Sequence, residues 1–154
     1  QNSWGYWGVG SIQDENNNAR IDNSINNSIQ NSNTLTENTT YVQNLMNNAT
    51  TTDLNFNGTI NVPNIASIGT NFIELDFYFG GSYNTFEARY GFEGENNNNF
   101  SGVSYGTISS TGFSGNTISG VFNGTNIDSV SGDITLDLDG RSDINGTFSA
   151  NKVP

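Results

Sequence analysis

Residues 72–92 read FIELDFYFGGSYNTFEARYGF, two runs of strict alternation joined by a glycine-rich break. Ile73, Leu75, Phe77 and Phe79 form one row, opposed by Glu74, Asp76 and Tyr78. After the break, Phe86, Ala88, Tyr90 and Phe92 oppose Thr85, Glu87, Arg89 and Gly91. Successive side chains of a strand point to opposite faces, so each run has one dry side and one wet side. The pattern recurs downstream. Ile134, Leu136 and Leu138 oppose Asp133, Thr135, Asp137 and Asp139, and Ile144, Gly146, Phe148 and Ala150 oppose Asp143, Asn145, Thr147 and Ser149. Hairpin follows hairpin, which specifies an antiparallel meander.

Working outward, strands are expected at residues 4–12, 54–62, 72–79, 84–92, 100–108, 117–122, 131–138 and 143–150. Gly80-Gly81, Asn98-Asn99, residues 109–112 and Asp139-Gly140 supply turns, the last being the strongest hairpin signal. Eight antiparallel strands can close on themselves and leave no edge. The fold predicted is an all-β, eight-stranded up-and-down barrel, with a two-sheet sandwich as the alternative. One helix is predicted over residues 41–48. Thr40 and Gln43 have capping-box spacing, and Val42, Leu45, Met46 and Ala49 fall on one face. So short a helix is unstable alone and must plug something, the end of the barrel being the obvious place. Residues 13–36 are polar and Asn-rich and read as an insertion in a single domain spanning 1–154.

The chain has 154 residues, no Cys and no His. Disulfides, thiolate chemistry and a histidine base or ligand are therefore excluded. Fifteen Asp and Glu against four Lys and Arg give a net charge of −11, which opposes nucleic-acid or anionic-membrane binding. No run reaches the ~18 apolar residues of a membrane-spanning helix. Gln1 begins without Met or an apolar leader, so a processed product or excised fragment is expected. An acidic, cysteine-free, Asn/Ser/Thr/Gly-rich β domain suits a bacterial surface protein.

Three segments carry a family resemblance: residues 4–10 (WGYWGVG), 112–115 (GFSG) and 119–136 (SGVFNGTNIDSVSGDITL). An aromatic, Gly-rich first strand, a short helix and Gly-punctuated strands follow in that order. This resembles the β-barrel domain of transferrin-binding-protein-like surface proteins of Gram-negative bacteria. The last segment departs from that family's late motif, with Asn123, Thr125, Ile127 and Ser131 where Tyr, Pro, Ala and Gly are usual. The resemblance implies a barrel of about eight strands on an exported protein at the cell surface, a class that includes iron- and haem-acquisition lipoproteins. It carries over no ligand residues, because the family's contacts lie in variable loops.

From the residues themselves, Asp14, Asn16, Asn18 and Asp22 have part of a calcium-loop spacing. Ala19 stands where a Gly belongs and Ile25 where the bidentate acid belongs, so calcium is the one cofactor expectation and a weak site the most it allows. Glu74 and Asp76 lie two apart on one strand face, with Cα atoms about 6.5–7 Å apart, a spacing a glycosidase could use. They occupy the polar face, which favours solvent over a cleft. Trp4, Tyr78, Tyr83 and Asn123 are the candidate ligand contacts: aromatics on a polar face or in a hairpin tip, and a residue of a late loop. Recognition is placed in loops at 13–36, 82–83 and 123–128. Asn57-Gly58-Thr59, Asn123-Gly124-Thr125 and Asp143-Ile144-Asn145-Gly146-Thr147 fit glycosylation patterns.

These features point to a non-enzymatic extracellular module for adhesion or ligand recognition. Its expected partner is a host or surface protein or a glycan, and it forms part of a larger exported protein that does not insert in the membrane. Two other readings stay open: an iron- or haem-acquisition protein, and a carbohydrate-active enzyme using paired carboxylates.

Overall fold

The alternating rows become the walls of a closed barrel. The computed structural model describes residues 38–137 and 142–154. The chain divides into two units, Gln1–Thr36 and Glu37–Pro154, and the second holds the barrel. A helix, α1, spans residues 38–46. Eight strands come after it: β1 (Thr52–Asn61), β2 (Ser67–Phe79), β3 (Thr85–Gly94), β4 (Asn98–Ile108), β5 (Gly112–Gly115), β6 (Ile118–Asn123), β7 (Ser129–Leu136) and β8 (Ile144–Lys152). Each pairs antiparallel with the next, and β8 returns to β1, Phe56 opposite Lys152 and Asn61 opposite Thr147.

The number of strands matches the expectation, but their identity differs at one place. The barrel closes without residues 4–12, which lie outside the described residues. Its remaining strand is β5, a segment expected to be punctuation. Asn98 and Asn99, expected as a turn, are already paired with Gly94 and Glu93 in β4. The reversal is made instead by Glu95–Asn97, where Asn96 and Asn97 adopt positive φ, which Asn tolerates better than most residues. Thr40 is not a helix cap, because α1 is already under way at Asn38.

Inside, the predicted rows meet. Ile73, Leu75, Phe77 and Phe79 are all fully buried, as are Phe56 and Ala88. The rings of Phe56, Phe77, Phe86, Phe113 and Phe122 pack mostly edge-on or tilted, Phe77 lying 4.8 Å from Phe113 and 5.3 Å from Phe122. Such offset geometries suit the ring quadrupole. Side chains thus fill the interior, as expected for a barrel of this size.

The antiparallel order places the start of β1, the β2–β3, β4–β5 and β6–β7 loops and the end of β8 at one end, with α1. Val42 of α1 is 0% exposed and joins the core, while Tyr41, Leu45 and Met46 are only partly buried against it. Asn38 Nδ2 donates to the Phe122 carbonyl at 2.8 Å, tying α1 to the end of β6. The β1–β2, β3–β4, β5–β6 and β7–β8 connections occupy the far end.

Candidate functional site

The β2–β3 loop is built to hold one side chain outward. Gly80 and Gly81 take φ of 89° and 60°, and Asn84 a φ of 57°. At Gly80 a Cβ would come within 2.9 Å of the Leu45, Asn48 and Thr50 carbonyl oxygens, so only glycine allows the loop to lie so close to α1. Asn84 then acts as a staple. Its Oδ1 accepts from the Gly80 N–H at 2.8 Å, and its Nδ2 donates to the Met46 carbonyl at 3.4 Å. Gly81 N–H donates to the Asn48 carbonyl at 2.9 Å, and Tyr83 N–H to the Gly80 carbonyl at 3.1 Å. Tyr83, at the tip of this braced turn, is 62% exposed.

The β6–β7 loop sits at the same end and is braced differently. Gly124 has a φ of 86°, and Ile127, at φ 49°, turns fully into the core. Lys152 holds the loop twice: its N–H donates to the Asp128 carbonyl at 2.8 Å and its Nζ to the Asn126 carbonyl at 2.7 Å. Asn123 Nδ2 donates to Ser131 Oγ at 3.0 Å, so this amide is engaged along the wall. Two of the three expected recognition loops therefore share one rigid end. The third, 13–36, lies outside the described residues, as do Trp4 and the calcium candidates Asp14, Asn16, Asn18 and Asp22. Among the described residues no group of three or more carboxylates is placed to hold a metal ion.

Tyr78 is elsewhere, on the outer wall. There Asn55, Asp76 and Glu87 line up across β1, β2 and β3, and Asn57, Glu74 and Arg89 form the next row. With Val153 these residues line an open depression of about 240 Å³. Arg89 donates to Glu74 Oε1 between exposed side chains. With its NH₂ turned toward the carboxylates, Asn55 donates to Asp53 Oδ1 at 3.0 Å and to Asp76 Oδ1. Partial burial pushes the Asp76 carboxyl above its ordinary value, and Asp53, Glu87 and Glu74 add to this against the opposing pull of Arg89. Tyr78 is pushed up by burial and by the same acids, Asp76, Asp53 and Glu87.

A raised acid beside a second carboxylate meets one requirement of glycoside hydrolysis. Both acids line the open depression, where Glu74 is exposed and already ion-paired with Arg89. The sequence identifies Glu74 and Asp76 but not their neighbours Asn55 and Glu87. Those are legible only as members of other polar rows, because strand register is set by the whole fold.

Compared with known proteins, the chain matches no family profile and no curated sequence.

Proposed function

We propose that this barrel is a non-enzymatic recognition module of an exported bacterial surface protein. It binds a protein or glycan through the end that α1 covers, with Tyr83 as the central contact. The observation that carries this reading is the exposure of Tyr83 on a loop whose glycines and Asn84 are locked to α1. An aromatic ring held outward on a rigid support loses little entropy on binding and offers a large, amphipathic contact surface. The short, braced loops at 80–84 and 124–128 flank a filled barrel, so partner selection falls to the loops and not to an interior chamber. The resemblance of residues 112–115 and 119–136 to transferrin-binding-protein-like barrels supports the same placement at a cell surface.

The test is capture from serum, mucin and cell-surface glycans by the full chain and by Tyr83→Ala. Tyr83→Ala should lose retention while its stability stays within about 0.5 kcal/mol of the parent. Undiminished capture by Tyr83→Ala and by swaps of residues 124–128 would overturn the assignment to this end. Hydrolysis of model glycosides that disappears in Glu74→Gln would overturn the non-enzymatic reading.

A further inference from the structure

Among the described residues, the closed barrel has a short ladder between β4 and β5. β4 runs through eleven residues, yet β5 pairs with it only at Gly106, Thr107 and Ile108. The direction of the remaining main-chain groups is fixed by two hydrogen bonds. Ile108 N–H donates to the Asn84 carbonyl at 3.0 Å, so in this register the even-numbered residues of β4 bond to β3. Ser109 N–H donates to the Gly112 carbonyl at 2.8 Å, so the odd-numbered residues turn toward β5. After Gly115 the chain swings away, Thr117 N–H meeting the side chain of Ser104 at 3.3 Å. Beyond that crossing, the N–H and C=O groups of Asn99, Ser101 and Val103 face outward along the sheet with no strand partner among the described residues.

Elsewhere at the far end, irregular backbone is repaired by side chains. Asn71 gives Ile60 both an acceptor at 2.8 Å and a donor at 2.9 Å. Glu93 accepts from Thr70 N–H at 2.8 Å, and Glu95 from Ala66 N–H at 3.3 Å. No described side chain does this for residues 99–103. A free sheet edge is a template for another extended chain.

We propose that the 99–103 edge of β4 binds an extended polypeptide segment of a partner protein by strand addition, antiparallel to β4. The site is separate from the Tyr83 end and does not rest on that assignment. Backbone pairing supplies the contact, and alternate side chains supply the selection. On the inner side the incoming strand meets Phe100, half-buried and stacked on Phe92 at 4.9 Å, which calls for apolar residues. On the outer side it runs beside Val103 and Tyr105, 45% and 58% exposed. One strand further, Glu93 and Glu87 stand opposite Asn99 and Tyr105, within reach of a lysine or arginine, while Arg89, opposite Val103, is paired with Glu74. The chain's net charge of −11 favours such a basic strand and opposes a second copy of this protein.

The probe is acetyl-Lys-Val-Lys-Val-Thr-Val-Lys-amide, titrated into the full chain and followed by residue-resolved amide exchange. In the free protein, Ser101 and Val103 should exchange fast and Gly102, bonded to β3, slowly. The peptide should slow Ser101 and Val103 by about tenfold or more. Ser101→Pro removes only an outward N–H and should keep its melting temperature while losing the peptide. A peptide N-methylated at alternate positions should fail on the unaltered protein, which keeps the test valid should the proline variant not fold. Protection of Asn99, Ser101 and Val103 without peptide would overturn the proposal. Undiminished binding of the N-methylated peptide, or protection that grows with protein concentration alone, would do so as well.

Discussion

The two ends of this barrel solve the same problem in opposite ways. At the end that α1 covers, a helix supplies Val42 to the core, and backbone carbonyls of α1 and the residues after it receive the β2–β3 loop. At the far end, polar side chains such as Asn71 and Glu93 take the place of missing strand partners. The first solution buries an apolar side chain and joins segments far apart in sequence, Asn84 to Met46 and Asn38 to Phe122. The second adds polar side-chain bonds to the apolar contacts of Val62 and Ile65, and leaves residues 99–103 of β4 without a strand partner among the described residues. The comparison predicts that more stability rests on the end that α1 covers than on the other.

The largest effect should come from breaking the apolar end. Val42→Asp strands a charge in a fully buried apolar site, and should cost about 4 kcal/mol or more. Leu45→Asp, on the half-buried side of the same helix, should cost less than half of that. Urea unfolding of the two variants measures the difference, and a loss within about 0.5 kcal/mol for Val42→Asp would show that α1 rests on the surface. Next, Phe122→Ala should cost about 3–5 kcal/mol, because its ring packs against Phe77, Phe79 and Phe113. Phe100→Ala, at the open end with Phe92 as its ring partner, should cost about 1–2 kcal/mol. Reversal of that order would erase the contrast between the ends.

The smallest effect lies on the wall between them. Asp76 has a folded-state pKa above its unfolded value, so the folded protein holds the proton more tightly. Its contribution to stability therefore falls as pH rises from the ordinary aspartate value of 3.8 through the raised one. Asp76→Asn should remove this slope and stabilise the protein at pH 7 by no more than about 1 kcal/mol. Chemical denaturation between pH 3.5 and 7, flagged by a flatter curve for the variant, checks it (these limits bracket roughly the carboxylate range). A variant curve parallel to the parent's would mean that the acids of the wall do not couple to folding.

How legible each element is in the sequence depends on its physics. The rows of β2, β3 and β8 can be read directly, because one-face burial writes period two into the sequence. β5 cannot. Two of its four residues are glycine, it is too short to show alternation, and only its neighbours make Gly112–Gly115 a strand. The helix is legible from its apolar face, but its true start is not, since the Thr40–Gln43 spacing fits a cap and an ordinary helix interior alike. Ile127 reads as loop, yet it is buried. A lone apolar residue between turn formers has no periodicity to reveal it. Of the site, Tyr83 is recognisable from its turn setting, whereas the staple from Asn84 to Met46 joins segments that nothing in the sequence brings together.

The seam between β1 and β8 adds a schedule to this architecture. During synthesis β1 emerges early and can pair with β2 almost at once, but its other edge waits until β8 has been made. For that interval the nascent sheet is an open ribbon with two sticky borders, vulnerable to pairing with other chains. When the ribbon finally rolls up, Gly58 must pass directly over the main chain of Ser149 and Ala150, where any Cβ would collide with the Ser149 carbonyl. Gly58 is thus the clearance of a latch. A side chain there would leave the ribbon ajar, and the cost would be counted in lost molecules during biosynthesis as well as in the melting point of those that close.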